Sequence, residues 1–98
     1  MTASKLKAPH IDRLFEAILL LENKEECYRF FEDICTIGEI QSMAQRLQVA
    51  EMLKIGNTYT EIAEATGAST ATISRVKRFL NYGSNGYSMI LERFEGLD

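Results

Sequence analysis

Residues 58–80, TYTEIAEATGASTATISRVKRFL, have the most informative pattern in the chain. The small Ala63 is followed four residues later by Gly67, and Ile73 and Val76 come after it at helical spacing. Two helices that cross at about 90 to 120° through a short turn approach closely, so the crossing residue must be small. Gly67 stands where the first helix ends, a position that often needs a left-handed backbone. The spacing therefore predicts a helix-turn-helix.

Both predicted helices of this stretch have suitable side chains at their starts. Thr58 and Glu61 have the S/T-x-x-E spacing of a capping box. Ser69 lies where its hydroxyl can accept a hydrogen bond from the first turn of the second helix. These two caps predict where each helix begins.

The second helix has two distinct faces when its residues are placed at about 100° intervals. Ile73, Val76 and Leu80 share one arc, and the opposite arc holds Thr70, Ala71, Ser74, Arg75 and Arg78. Short hydroxyls and a methyl group followed by arginines suit a helix in the major groove of double-stranded DNA, where small groups reach base edges and cations reach phosphates. The alternative is a helical hairpin whose outer face is only solvated.

The charge of the chain is unevenly distributed. Its 98 residues have a formal net charge of −3, but no acidic residue occurs between positions 65 and 91, where Arg75, Lys77 and Arg78 lie. A basic surface on an otherwise acidic protein orients it on DNA and limits non-specific binding. The same basic face also fits a protein-interaction adaptor that docks an acidic partner.

The rest of the chain predicts an all-α protein with a flexible N-terminal arm, residues 1–10, and a single helical domain, residues 11–98. Helices are expected over residues 11–22, over residues 25–34, and from a capping box at Thr36 and Glu39 to about Ile55. A short last helix is expected from a Ser88 cap to Phe94. In the arm, Lys5 and Lys7 offer a further possible DNA contact.

The apolar residues predict both a core and a partner. On the long helix the expected buried face comprises Ile40, Met43, Ala44, Leu47, Ala50 and Leu53. In residues 11–22, Leu20 and Leu21 widen the apolar stripe beyond one face, so this helix needs two partners. In so short a chain we expect the second partner to be another subunit.

Several classes of function are disfavoured by the composition. One His and two Cys eight positions apart provide neither a metal-ligand spacing nor a nucleophile with its base, so neither an enzyme nor a metal site is expected. The N-terminal sequence has no apolar signal core and the chain has no long apolar run, which predicts a cytoplasmic protein without a membrane partner.

Three motifs carry a family resemblance: TxxE at positions 36–39, RLQVAEMLKIG at 46–56 and TGASTATISR at 66–75. Together with the order of the predicted helices, they resemble the Trp repressor family. The loop NYGSNGY at 81–87 is similar to that of the YerC/YecD-type members. The resemblance implies a six-helix fold, an intertwined homodimer, and a bacterial repressor that binds a palindromic operator and is nucleoid-associated when bound to DNA.

The resemblance also implies roles for individual residues. Thr70, Ala71 and Ser74 match base-facing positions and Thr72 matches a phosphate contact, which with the three cations gives the predicted DNA-binding set: Thr70, Ala71, Thr72, Ser74, Arg75, Lys77 and Arg78. A possible corepressor pocket comprises Thr36, Arg46, Arg75, Val76 and Phe79.

In this pocket Thr36, Arg46 and Arg75 match the family, whereas Val76 replaces a Gly and Phe79 replaces a Ser. Added volume in a filled site is resisted, so we expect L-tryptophan to be excluded and no cofactor to bind. Whether the pocket takes another effector or none stays open.

Overall fold

The structure is a computed structural model that describes residues 4–97. Within that range it contains helices and no strand, which confirms the all-α prediction. The helices are α1 (Pro9–Leu19), α2 (Lys24–Ile34), α3 (Ile37–Ile55), α4 (Tyr59–Thr66), α5 (Thr70–Tyr82) and α6 (Gly86–Glu95). None of the helices in the described range is both long and apolar enough to cross a membrane.

The predicted arm ends earlier than expected, because Pro9 and His10 already belong to α1. Proline suits the first turn of a helix, where its missing N–H would have no partner and its fixed φ is already helical. Lys7 precedes the helix, and its Nζ lies 2.9 Å from an Asp12 carboxylate oxygen. Lys7, suggested as a DNA contact, therefore already has an ion-pair partner within the chain, and residues 1–3 lie outside the described residues.

The chain divides into two compact units, with the boundary in the sequence between Thr36 and Ile37. The first contains α1 and α2, and neither helix contains a single buried residue. Leu19 is 83% exposed and Leu20 is 78% exposed. The two helices of the first unit thus leave apolar side chains exposed and contribute no buried residue to a core within the described chain. The predicted single domain over residues 11–98 stays a prediction, since within one chain those residues are divided between two units.

The second unit contains the core, formed where α4, α5 and α6 pack on α3. Its buried residues are Val49, Ala50, Ile62, Ala68, Ile73, Val76 and Leu91. On α3 the predicted buried face is only partly correct: Ala50 is buried, but Met43 and Ala44 are exposed and the unpredicted Val49 is fully buried. The reason is that the other helices of this unit cover the side of α3 on which Val49 lies, while Met43 and Ala44 lie in its less covered first half.

The segment that contains α4 and α5, residues 58–82, begins with the predicted capping box. The Thr58 hydroxyl accepts from the Glu61 N–H at 3.2 Å, and a Glu61 carboxylate oxygen accepts from the Thr58 N–H at 2.7 Å. The backbone hydrogen bond from Thr58, together with its hydroxyl, holds the pKa of the Glu61 carboxyl below its ordinary value. Ser69 caps α5 by accepting from the Thr72 N–H at 3.1 Å, so both predicted caps are confirmed.

The turn between α4 and α5 depends on Gly67, whose φ of 74° is left-handed. Two side chains fix the carbonyl and amide groups around it. Gln45 Nε2 donates to the Thr66 carbonyl at 3.1 Å, and the Thr66 hydroxyl accepts from the Ala68 N–H at 3.1 Å. The turn is therefore attached to α3 as well as closed locally.

The last helix begins before the predicted Ser88 cap. It starts at Gly86, with Asn85 at the N-cap position, and Ser88 lies inside the helix. Asn85 has a left-handed φ of 69° and makes no side-chain cap hydrogen bond. The preceding helix, α5, continues to Tyr82 and ends at Gly83, where a Cβ would collide with the Phe79 carbonyl oxygen.

We predict that Gly67→Ala lowers the free energy of unfolding by about 1–2 kcal/mol, because a Cβ strains the left-handed backbone. The space around Gly67 is open, so the loss comes from the backbone alone. Gly86→Ala is the matched control, since it is equally open but lies in a helix with no positive φ. Chemical denaturation at one fixed protein concentration measures the free energy of unfolding of both variants. Equal losses in the two variants would contradict the role assigned to Gly67.

Candidate nucleic-acid interface

Helix α5 separates its buried and exposed side chains as the sequence predicted. Ile73 and Val76 are at most 1% exposed, and Leu80 is half-buried. The outer face, defined as Thr70, Ala71, Ser74, Arg75, Lys77 and Arg78, is exposed throughout. The structure thus places six of the seven predicted DNA-binding residues on one accessible surface, while their contacts with DNA stay predictions.

The seventh predicted residue, Thr72, is half-buried beside the N-cap. Its Oγ1 accepts a hydrogen bond from the Ser69 hydroxyl at 3.1 Å, and its N–H is bound by the same Ser69 side chain. The Thr72 hydroxyl proton is left free to donate, which is compatible with a phosphate contact. The first turn of α5 has no acidic residue, so no side chain of that turn neutralises the positive end of the helix dipole.

The cations of the outer face have no carboxylate partner within residues 4–97. Ion pairs among the described residues include Lys7–Asp12, Arg13–Glu16 and Lys54–Glu95, and none of these involves a residue of the outer face. Two of the three cations lie over aromatic rings: the Lys77 Nζ is 5.7 Å from the centroid of Tyr59, and the Arg78 Cζ is 5.2 Å from that of Phe79. An aromatic ring attracts a cation without neutralising its charge, so the face stays available to an anion.

A cavity of about 490 Å³ lies beside the outer face, within the second unit. It is lined by Met43, Arg46, Arg75, Val76, Arg78, Phe79 and Tyr87. Four of the five predicted pocket residues are thus together. Thr36 is not among the lining residues and belongs to the first compact unit. The volume is within the range of small-molecule sites.

Sequence reasoning missed three residues of this cavity: Met43, Arg78 and Tyr87. Arg78 could have been found, since it follows Arg75 by three positions and shares its side of the helix. Met43 was assigned to the core and is 42% exposed instead. Tyr87 could not be found, because its position depends on where α6 begins.

Comparisons with known proteins identify the class of this fold. The family described as Trp repressor protein matches residues 9–95. A crystal structure of a candidate Trp repressor from Staphylococcus aureus superposes with a TM-score of 0.90 at 59% identity, covering 97% of this chain and 95% of that chain. A TrpR-like protein from Eubacterium eligens ATCC 27750 gives 0.90 at 57% identity, over 93% of this chain and 94% of that one. The chain therefore belongs to the Trp repressor family.

Within this family the chain is of the YerC type. It is 62% identical over 93 residues to YerC of Bacillus subtilis strain 168, a protein described as uncharacterized, and the match covers 95% of this chain and 89% of that protein. The resemblance identified from the motifs at 36–39, 46–56 and 66–75 is confirmed. So is the six-helix, Trp-repressor-like fold.

Because α5 has a buried and an exposed face, substitutions at neighbouring residues should differ greatly in their effect on the free energy of unfolding. Ile73→Ala should lower the free energy of unfolding by about 2–5 kcal/mol, because it leaves a cavity in the core. Ser74→Ala should change it by no more than about 0.5 kcal/mol, because Ser74 is exposed and makes no packing contact in the core. Urea unfolding of both variants at equal concentration tests the assignment. A comparable loss in Ser74→Ala would show that its face is not free.

Proposed function

We propose that the protein is a homodimeric, sequence-specific transcriptional regulator, a repressor, which binds a palindromic DNA operator through α4 and α5 as a helix-turn-helix. The observation that carries this proposal is the outer face of α5, where small polar side chains are followed by exposed cations that have no carboxylate partner in the described part of the chain. Membership of the Trp repressor family supports the same conclusion. The protein acts in the bacterial cytoplasm and is not an enzyme.

In this proposal the start of α5 enters the major groove. Thr70 and Ser74 offer hydroxyls that donate to or accept from base edges, and the Ala71 methyl suits contact with a thymine methyl. Thr72 and the cations Arg75, Lys77 and Arg78 bind backbone phosphates, which supply affinity without sequence preference. Specificity and affinity thus come from different residues of one helix.

The exposed apolar side chains of the first unit support the proposed homodimer. Helices of 11 residues are marginal in water unless they bury an apolar face, and α1 and α2 bury no residue within one chain. A second copy would cover their exposed leucines and aromatic rings. A dimer with two-fold symmetry would read a palindrome by inserting its two copies of α5 into successive major grooves, which lie about one helical turn, ~34 Å, apart.

For the ligand cavity we propose that L-tryptophan is not the corepressor. The Val76 side chain is only 1% exposed and lies among the residues that line the cavity, and the Phe79 ring lies beside it. Both add volume where an indole ring would need space. The cavity is left to another effector, or to none.

Selection from a randomised duplex pool tests the function, using purified protein in about 150 mM salt with and without L-tryptophan. We expect a palindrome to be enriched in both conditions. Enrichment only with tryptophan would overturn the steric argument. Weak binding without any enriched sequence, strongly dependent on salt, would instead favour the protein-interaction adaptor.

Substitutions on the outer face should separate affinity from specificity. Arg75→Ala and Arg78→Ala should weaken binding to all duplexes, because each removes a phosphate contact. Ser74→Ala or Thr70→Ala should relax preference at one base pair by about 1–3 kcal/mol. Arg13→Ala is the control, since it removes the same charge from a side chain that is 84% exposed on α1. Arginine variants that bind like the parent in fluorescence anisotropy would contradict the assigned face.

The homodimer predicts that Leu20→Glu disrupts association, because it places a charge on an apolar surface that the partner covers. Lys24→Glu, at an exposed polar position in the same unit, should leave the dimer intact. Sedimentation velocity at micromolar concentration distinguishes the monomer from the dimer for each variant. A parent protein that sediments as a monomer would rule the homodimer out.

A further inference from the structure

Lys77 lies on the edge of α5 that is closest to the start of α4. Its Nζ is 5.7 Å from the ring centroid of Tyr59, which is the first residue of α4 and packs against the core. The Lys77 side chain is otherwise exposed and has no carboxylate partner among the described ion pairs. A half-buried ring therefore holds an unneutralised ammonium group at a defined place beside the first turn of α4.

The outer face has cations on both of its edges. At about 100° per residue, Arg75 and Lys77 are separated by roughly 160° across that face, with the base-facing Ser74 between them. A helix in the major groove has one sugar-phosphate backbone on either side. If the middle of the face meets the bases, Arg75 and Lys77 meet opposite strands, and Lys77 meets the strand on the α4 side.

We infer that Tyr59 is a positioning residue, which fixes Lys77 to bind a backbone phosphate of the DNA strand beside α4. The inference rests on the proposed DNA-binding function. A lysine side chain loses much rotamer freedom when it is fixed in a complex, and this loss weakens binding. The ring restricts Lys77 before DNA arrives, so less freedom is lost on binding. The ligand is a phosphodiester group, for which the ammonium is a point charge.

The ring and the hydroxyl of Tyr59 can be separated by substitution. Tyr59→Phe keeps the aromatic face and should bind DNA like the parent. Tyr59→Leu keeps apolar bulk for packing but removes the ring, and should weaken the dimer's affinity about 4- to 25-fold, which is about two- to fivefold for each subunit. Lys77→Gln should lower the slope of log affinity against log salt by about 0.9 for each subunit.

The decisive measurement is a double-mutant cycle on one selected duplex in about 150 mM salt, with thermal unfolding of every variant measured in parallel. We expect Tyr59→Leu to have no further effect in the Lys77→Gln background, because the ring then has no cation to hold. The inference is overturned by parent-like binding of Tyr59→Leu, by an equal loss in Tyr59→Phe, or by a loss that persists without Lys77. A parent protein that binds no duplex refutes the proposed function itself, which is a different result.

Discussion

The packing of α5 against α3 and α4 determines where every exposed side chain of the interface lies. Ile73 and Val76 join Ile62 of α4 and Val49 of α3 in one buried cluster. A helix fixed by two buried residues three positions apart cannot rotate about its axis without exposing one of them. The direction of the opposite face, with Ser74 and Arg78, is therefore set by apolar contacts on the far side of the helix.

The segment that contains α4 and α5 was predicted well from the sequence, because the patterns that define it involve residues close together in the chain. The Thr58 and Ser69 caps, the left-handed Gly67 and the apolar spacing of α5 each concern residues a few positions apart. Signals that depend on distant residues were missed. Val49 is buried because of the helices that cover one side of α3, and α6 begins at Gly86 through an Asn85 conformation that no capping pattern indicates.

The same distinction applies to the site. Burial on α5 follows from periodicity, so the exposure of Arg75 and Arg78 could be predicted. The contact of Lys77 with Tyr59 joins residues on different helices, and the contribution of Tyr87 to the cavity depends on the end of a loop. Neither the Lys77–Tyr59 contact nor the place of Tyr87 can be predicted before the positions of the helices are known.

The cavity and the outer face share Arg75 and Arg78, and this sharing has a thermodynamic consequence. Any molecule bound in the cavity would contact two cations that also face the proposed DNA backbone. Binding at two sites that share side chains is linked, so each ligand changes the affinity for the other by the same factor. An anion in the cavity would partly neutralise the positive charge that attracts DNA phosphates, whereas a neutral ligand would leave that charge in place. The sign of any regulation through this cavity is therefore set by the charge of its ligand as well as by its shape.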